Sequence, residues 1–279
     1  MDTAQFRAEP GKKIRLSKID PSQSGKPGLR DESDDQIQRD LKRIDELQYL
    51  LYADAGRSLL IVLQGPDASG KDGVIRHLFS CVNPMGVSVA RFEKPTPEEA
   101  GHDFLWRVHA KTPRKGQIVV FNRSHYEDVL VPRVHGDIGK HVWKQRYDQI
   151  NEFEELLSEQ GTCVLKFFLH ISAEEQLERF RMRLEDKDRQ WKISESDYTE
   201  RALWSDYQRA YEGMIHNTST RVAPWHVIPS NHKWFRNRVI SRVICQAMED
   251  LKLKAPKPRV DIAAIAETYH KLADEAGEP

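Results

Sequence analysis

Neither sign of side-chain charge is in excess: 43 lysines and arginines stand against 43 aspartates and glutamates. That balance removes the global attraction by which basic proteins hold nucleic acid or anionic membranes, so any polyanion site must be a local basic patch. No apolar stretch of about 18 residues is present, nor an N-terminal apolar segment of leader type. Membrane spanning and secretion are therefore not expected, and the cytoplasm is the default compartment. Cysteine is scarce. Cys81, Cys163 and Cys245 lie far apart without a Cys-x-x-Cys pair, which reads as buried reduced thiols rather than a metal site or disulfide. The histidines fall into no metal-ligand spacing, no Ser-His-Asp order is convincing, and neither a repeat nor a linker divides the central region.

What is present is a polar but globular chain, 39% hydrophobic and 31% charged, whose length suits one large domain or two small ones. Residues 1–33 are polar and punctuated by Pro10, Pro21 and Pro27; they read as an arm without its own core, whose Lys12, Lys13 and Arg15 either reach a polyanion or remain solvated. Ser33 with Gln36 has the form of a capping box, and Ile37, Leu41, Ile44, Leu47 and Leu51 follow at helical spacing towards a stop near Gly56. Continuous apolar runs at Leu59 to Leu63, Val87 to Phe92, Ile118 to Phe121 and Val164 to Leu169 predict strands covered on both faces, with a shorter fifth at His226 to Ile228. Helix starts are signalled at Thr96-Pro97-Glu98-Glu99 and at Ser172 with Glu175. The alternation predicts a three-layer α/β domain over residues 34–255, with a mainly parallel five-stranded sheet and helices on both faces. Residues 256–279 form a tail with weak helical periodicity.

The most informative segment is Gly65-Pro66-Asp67-Ala68-Ser69-Gly70-Lys71-Asp72. It follows an apolar strand and opens a helix, the context in which G-x-x-x-x-G-K-S/T cradles phosphate. Gly65 and Gly70 permit the required torsions, Ala68 and Ser69 contribute loop amides, and Lys71 supplies a point charge. Asp72 stands where Ser or Thr ordinarily meets magnesium, and reads as a member of the phosphate site or as a first-turn acid favoured by the helix dipole. A carboxylate inside a phosphate cradle repels its ligand unless a cation intervenes, so Asp67 is the candidate metal ligand or proton acceptor. At the end of a second apolar strand, Asn122 takes the place of the usual Asp as a metal ligand or orienter. Arg123 has the fork to bridge two phosphates, and Glu127 with Asp128 can hold metal-bound water or repel an extra acceptor phosphate. Arg179, Arg181, Arg183, Lys187, Arg189 and Lys192 read as a solvated helix face or as a basic lid over about 179–200. His102, Phe104, Trp106, Arg107 and His109 are expected on one helix after Lys94, either stacking a nucleobase or in the core; Asn83 and Lys94 complete the candidate nucleotide contacts.

These residues together resemble the polyphosphate kinase 2 family, P-loop kinases related to thymidylate kinase. The resemblance spans about Leu59 to Arg238 and rests on LLIVLQGPDASGKDG, FNRSHYEDVLVPRV, LKFFLHISAEEQLERFRMRLED with RQWKIS, and APWHVIPSNHKWFRNRV. It implies reversible phosphoryl transfer between inorganic polyphosphate and a nucleotide with Mg²⁺ or Mn²⁺, AMP or ADP being the acceptor and guanine nucleotides the wider set. Asp67, Lys71 and Arg123 match the family's loop acid, lysine and strand-end arginine; Arg133 matches a phosphate-contacting arginine and Arg183 a lid arginine. Arg179 and Lys192 are carried along as phosphate contacts, and Asp67, Asn122 and Asp128 as the metal set. Many members have Asp where this chain has Asn122. Asn there with Glu127–Asp128 is similar to the subgroup acting on AMP as well as ADP, and such members are often dimers or tetramers. The rival readings are an ATP-dependent nucleoside monophosphate kinase, which predicts a hydroxyl residue after Lys71, and a non-catalytic polyphosphate or nucleotide sensor.

Overall fold

Five apolar runs separated by helical segments become five strands. The computed structural model describes all residues except Pro27, Cys81, Glu278 and Pro279. The strands are β1 Ser58–Gln64, β2 Val87–Arg91, β3 Ile118–Asn122, β4 Thr162–His170 and β5 Trp225–Pro229. All are parallel, in the order β2-β3-β1-β4-β5. Every strand expected from the sequence is there, including the short one at His226, but β2 is not covered on both faces: it lies at the sheet edge with Ser88, Val89 and Arg91 exposed.

Helices α1 Ser33–Asp54, α2 Lys71–Leu78, α3 Pro97–Ala100, α4 Trp106–His109, α5 Glu127–His135 and α6 Lys140–Glu159 precede β4 or cross back to it. Helices α7 Ala173–Glu185, α8 Glu195–Ala202, α9 Trp204–Thr218, α10 Lys233–Asp250 and α11 Ile262–Ala276 follow. Successive strand side chains point to opposite faces. Leu59, Ile61 and Leu63 of β1 therefore pack with α1, α2 and α10, while Leu60 and Val62 pack with α5, α6 and α9. Burial on both sides accounts for the unbroken apolar run, each large side chain contributing about 1.5–3 kcal/mol.

Several local expectations need correction. Ser33 does not cap α1. Its buried hydroxyl donates to the Leu29 carbonyl and accepts from Arg238 at 3.0 Å, while Gln36 turns to Asp40. The left-handed residue closing α1 is Ala55 (φ 47°) rather than Gly56. Ser172 accepts from the Glu175 amide, but the Glu175 carboxylate pairs with Arg179 instead of completing a box. The complete box at Thr96 is real, yet α3 lasts only four residues. His102 to His109 are thus not on one helix: the chain breaks after Gly101, and Asp103 accepts from the Leu105 amide before α4 begins.

The N-terminal arm is not a loose tail. Phe6 and Leu16 are buried in the two cores, and Arg7 bridges His226 antiparallel, covering the edge of β5. The tail forms α11, with Ile262, Ile265, Tyr269 and Leu272 all exposed. Cys163 and Cys245 are free thiols that burial pushes up to about 11, as inert reduced residues should be; the expectation for Cys81 lies outside the described residues. No described helix is long and apolar enough to cross a membrane.

Candidate active site

Parallel register sets Leu63 of β1 opposite Asn122 of β3, so the glycine-rich loop and the 122–128 segment leave the sheet side by side. This is the carboxyl edge beside the central strand, where chain connections diverge and open α/β sheets bind ligands. Gly65 has φ 146°, and a Cβ there would lie 2.7 Å from the Leu169 carbonyl. Gly70 has φ 102° and starts α2. Ala68 (φ 61°) and Arg123 (φ 62°) are non-glycine residues in the same left-handed region, strain of the kind that accumulates where function dictates the backbone.

Lys71 folds back over its own loop, Nζ donating to Gly65 O at 2.7 Å and Pro66 O at 3.2 Å. Burial lowers its pKa, against the pull of Asp67. Asp67 Oδ1 accepts from Arg123 Nη2 at 2.7 Å, and Arg123 Nη1 lies 3.5 Å from Glu127 Oε2. Burial alone would raise the Asp67 pKa, but Lys71, Arg123 and Arg183 outweigh it and hold the carboxyl below its ordinary range. Glu127 goes the other way: burial raises it, and Arg123 and Lys71 only partly offset this.

Asp72 heads a separate cluster. Burial disfavours its charge, yet hydrogen bonds from Lys192 Nζ at 2.9 Å and Asn122 Nδ2 at 2.8 Å bring the pKa to about 2. The lysine of the expected lid and the strand-end amide are thus both fastened to the residue that replaces the P-loop hydroxyl. Arg183 donates to Asp197 at 3.2 Å while its charge reaches Asp67.

Other expected site residues face elsewhere. Arg179 spends all five N–H donors on protein: Nε on Glu175, Nη1 on the Ala68 and Ser69 carbonyls, and Nη2 on those of Ser230 and Asn231. It clamps the phosphate loop from behind and has no donor left for phosphate. Ser69 is likewise turned inward, its hydroxyl buried without a partner. Arg133 donates to Tyr147 and to the Arg209 and Ala210 carbonyls and lies over the Trp143 ring at 4.4 Å, so α6 and α9 hold it away from the loop. Asn83 caps a short 3₁₀ turn before β2, beside α1. Asp128 is tied to Arg107 at 3.0 Å, its carbonyl accepting from Arg146. Trp106 stacks on His102, centroids 4.1 Å apart, with only His102 reaching the cleft.

The cleft is a cavity of about 860 Å³. Gly65, Asp67, Arg123 and Glu127 line its phosphate end, and Phe92, Lys94, Phe104 and Arg146 line the other. Arg146 lies over Phe104 at 4.8 Å and Arg107 over Phe92 at 5.6 Å, giving two aromatic-cation plates suited to a flat ring. Tyr207, Tyr211, Asp197 and Arg201 close the side nearest the expected lid. Sequence reasoning missed Arg146 and the two tyrosines, which sit in ordinary helical patterns. It also missed Lys166, a fully buried lysine inside the β4 run. That lysine pairs with Glu154 and donates to Tyr126 Oη at 2.9 Å and the Thr218 carbonyl at 2.6 Å, while His125 reaches the same Glu154. This network fixes residues 125–126 from beneath, and with them the backbone presenting Arg123 and Glu127.

Among the described residues no cluster of three or more His, Cys, Asp or Glu could cage a metal. Magnesium is commonly held by one or two carboxylates with substrate phosphates completing its shell. Asp67 at the cavity wall fits that arrangement. Asp128 is committed to Arg107, while Asn122 gives its Nδ2 to Asp72 and keeps Oδ1 as an acceptor.

The family model for polyphosphate kinase 2 (PPK2) matches residues 29–256. The chain is 46% identical over 255 residues to an AMP/ADP-polyphosphate phosphotransferase of Meiothermus ruber, covering 91% of this chain and 96% of that protein. It is 40% identical to an ADP-polyphosphate phosphotransferase of Rhodopseudomonas palustris, covering 91% and 92% respectively. The crystal structure of polyphosphate kinase 2 from Arthrobacter aurescens TC1 superimposes with a TM-score of 0.93 at 38% identity, covering 97% of both chains.

Proposed function

The chain belongs to the polyphosphate kinase 2 family, and from that premise we propose that it is a polyphosphate:nucleotide phosphotransferase moving one phosphoryl group from inorganic polyphosphate to ADP and to AMP. The observation that carries this reading is the Asp67–Arg123 pair at 2.7 Å, on adjacent loops at the cavity wall with Lys71 folded beside it. The loop amides and Lys71 grip the phosphates next to the reacting one. Arg123 leaves Asp67 to meet charge on the transferring group, and Arg183 contributes through space. Terminal phosphate oxygens are already ionised, so positioning and electrostatic stabilisation perform most of the catalysis. Asp67 would hold a divalent cation, which would neutralise phosphate charge when bound. The base lies against the Phe104–Arg146 pair, with Phe92 and Arg107 also lining the cleft. Glu127, buried and already short of compensating charge, disfavours a further acceptor phosphate and sets the balance between AMP and ADP.

Purified protein with Mg²⁺ is given polyphosphate with AMP, ADP, GMP or GDP, and separately ATP with AMP. Turnover of AMP and ADP with polyphosphate supports the reading. Turnover with ATP alone as donor makes it a nucleoside monophosphate kinase, and binding without turnover makes it a sensor.

A further inference from the structure

The Asp67–Ala68 peptide is held in a conformation that its sequence disfavours. Ala68 carries a Cβ yet has φ 61°, whereas its own preference is for the negative-φ side. A flip of the peptide plane between Asp67 and Ala68 would return Ala68 to that side. Across a planar trans peptide the Asp67 carbonyl and the Ala68 N–H point in opposite directions, so the flip exchanges them. An amide offered to phosphate would be replaced by a carbonyl, which repels it.

One side chain opposes that flip. Gln176, on the first turn of α7, is buried, and its Nε2 donates to the Asp67 carbonyl at 3.0 Å. Its Oε1 accepts from Arg201 Nη1 at 3.0 Å, and the same Nη1 donates to the Ala173 carbonyl at 2.7 Å. The amide has one possible orientation here. A carbonyl only accepts and a guanidinium only donates, so Nε2 must face Asp67 and Oε1 must face Arg201. Arg201 comes from α8, the helix whose Asp197 holds Arg183 at 3.2 Å. The next two loop carbonyls, those of Ala68 and Ser69, are gripped by Arg179 from the same face of α7. Gln176 therefore holds the one plane whose rotation would relieve the strain at Ala68.

We propose that Gln176 is a positioning residue for the phosphoryl transfer: it locks the Asp67–Ala68 peptide with the Ala68 amide towards phosphate, and Arg201 makes the lock depend on the seating of α8. The inference rests on the loop cradling phosphate, as the proposed function has it. A neutral amide is what the position requires. Glutamate would keep the contact with Arg201 but set a carboxylate oxygen against the Asp67 carbonyl, and leucine would keep the volume while losing both bonds. When α8 leaves its seat, Oε1 loses the donor that orients the amide, and the loop is freer to flip. The same contacts tie the wall of the cleft together, since Gln176, Asp197 and Arg201 line it beside Pro66 and Asp67.

The test uses the full-length protein with Mg²⁺ and the substitutions Gln176→Leu, Gln176→Glu and Arg201→Met, the first two made with and without Ala68→Gly. kcat/KM is measured with polyphosphate varied at saturating ADP, and melting temperatures alongside. One lost buried contact corresponds to a fall of about tenfold in kcat/KM for each Gln176 variant. Their melting temperatures are expected to stay within about 4 °C of the wild type, because the flip relieves strain as the bond is lost. Arg201→Met should lose less, since Nε2 keeps its acceptor. Glycine adopts positive φ without strain and no longer favours the flip, so Gln176→Leu should cost clearly less when Ala68→Gly is present than when it is absent. That difference separates a lock from a packing contact. Wild-type rates in Gln176→Glu, or equal losses from Gln176→Leu with and without Ala68→Gly, overturn the lock. If Gln176→Leu does not fold, Gln176→Glu, which keeps its partner on α8, carries the same comparison. Wild-type turnover of polyphosphate with unaffected variants defeats only the inference. A wild type that turns over only ATP with AMP defeats the proposed function, and the same ratios with ATP varied then decide the lock; turnover of neither donor defeats both.

Discussion

Arg179 decides between two pictures of the basic segment. Its geometry makes it a clamp: the fork holds the Ala68 and Ser69 carbonyls at 2.8 and 2.9 Å and those of Ser230 and Asn231 at 2.6 and 3.1 Å. Arg179→Ala strands these carbonyls and leaves Glu175 without its partner. Breaking such a buried charged network costs roughly 3–5 kcal/mol. At a few degrees per kcal/mol for a chain of this size, the midpoint of thermal unfolding should fall by about 10 °C. Arg179→Lys should fall nearly as far, because one ammonium cannot span both carbonyl pairs. Circular dichroism melts of the wild type and both variants read this directly, alongside KM for polyphosphate. If Arg179 were instead a phosphate ligand, Arg179→Lys would keep the wild-type melting point and lose substrate affinity. A change of less than about 2 °C in Arg179→Ala, with activity lost, would refute the clamp.

Lys71→Ala and Asp67→Asn should each lower kcat by at least about 100-fold with the circular dichroism spectrum unchanged; rates near wild type in either variant remove that residue from the mechanism. Glu127 has its folded pKa raised above the ordinary 4.5, so its contribution to stability is present below the unfolded value and lost as pH rises through the folded one. Glu127→Gln should therefore gain stability on the wild type as pH rises from about 5 to 8 and shift the AMP-to-ADP ratio; urea midpoints across that range and product ratios check both, and flat differences count against the assignment. Deleting residues 1–23 removes buried Phe6 and Leu16 and the contacts from Pro21 and Ser22 to Asn231. It should cost at least about 3 kcal/mol in urea unfolding and weaken polyphosphate affinity, because Asn231 also accepts from Arg179; an unaffected truncation would show the arm to be dispensable.

The phosphate loop was legible because everything that makes it is local: an apolar strand, two glycines at obligatory torsions, and a lysine opening a helix. The end of β3 was legible for the same reason, since a polar run after a buried strand must emerge at the sheet edge. Direction was not. Glu175 and Arg179 at i and i+4 have the spacing of a solvated ion pair, yet α7 turns the Gln176, Arg179 and Phe180 side inward onto the loop. Arg133 follows Arg123 closely in sequence, but a helical turn carries it to the far side of α5, where Tyr147 and Trp143 hold it. Phe6 and Leu16 are isolated apolar residues with no periodicity, buried by elements more than 150 residues away. Lys166 hides in the apolar β4 run because its partner Glu154 comes from the inward face of the preceding helix α6. In each case the missing information was which distant surface the residue would meet.

The pairing of Asp67 with Arg123 resolves what looked contradictory in the loop. An acid inside a phosphate cradle should repel the ligand, and an arginine left alone there would be desolvated without compensation. Together they neutralise each other in the free cleft, with Asp67 held ionised below its usual range. On the proposed reading, an arriving polyphosphate would give Arg123 a phosphate partner, and Asp67, freed of Arg123, would be the residue to hold a divalent cation. The exchange conserves charge locally, so the cleft need not bury an uncompensated ion at either stage. Substituting Asn for Asp67 removes more than a ligand, because it leaves Arg123 facing only Glu127 at 3.5 Å. That variant should bind bare polyphosphate more tightly while turning it over more slowly. A parallel fall in affinity and rate would mean that Asp67 acts only by holding the cation.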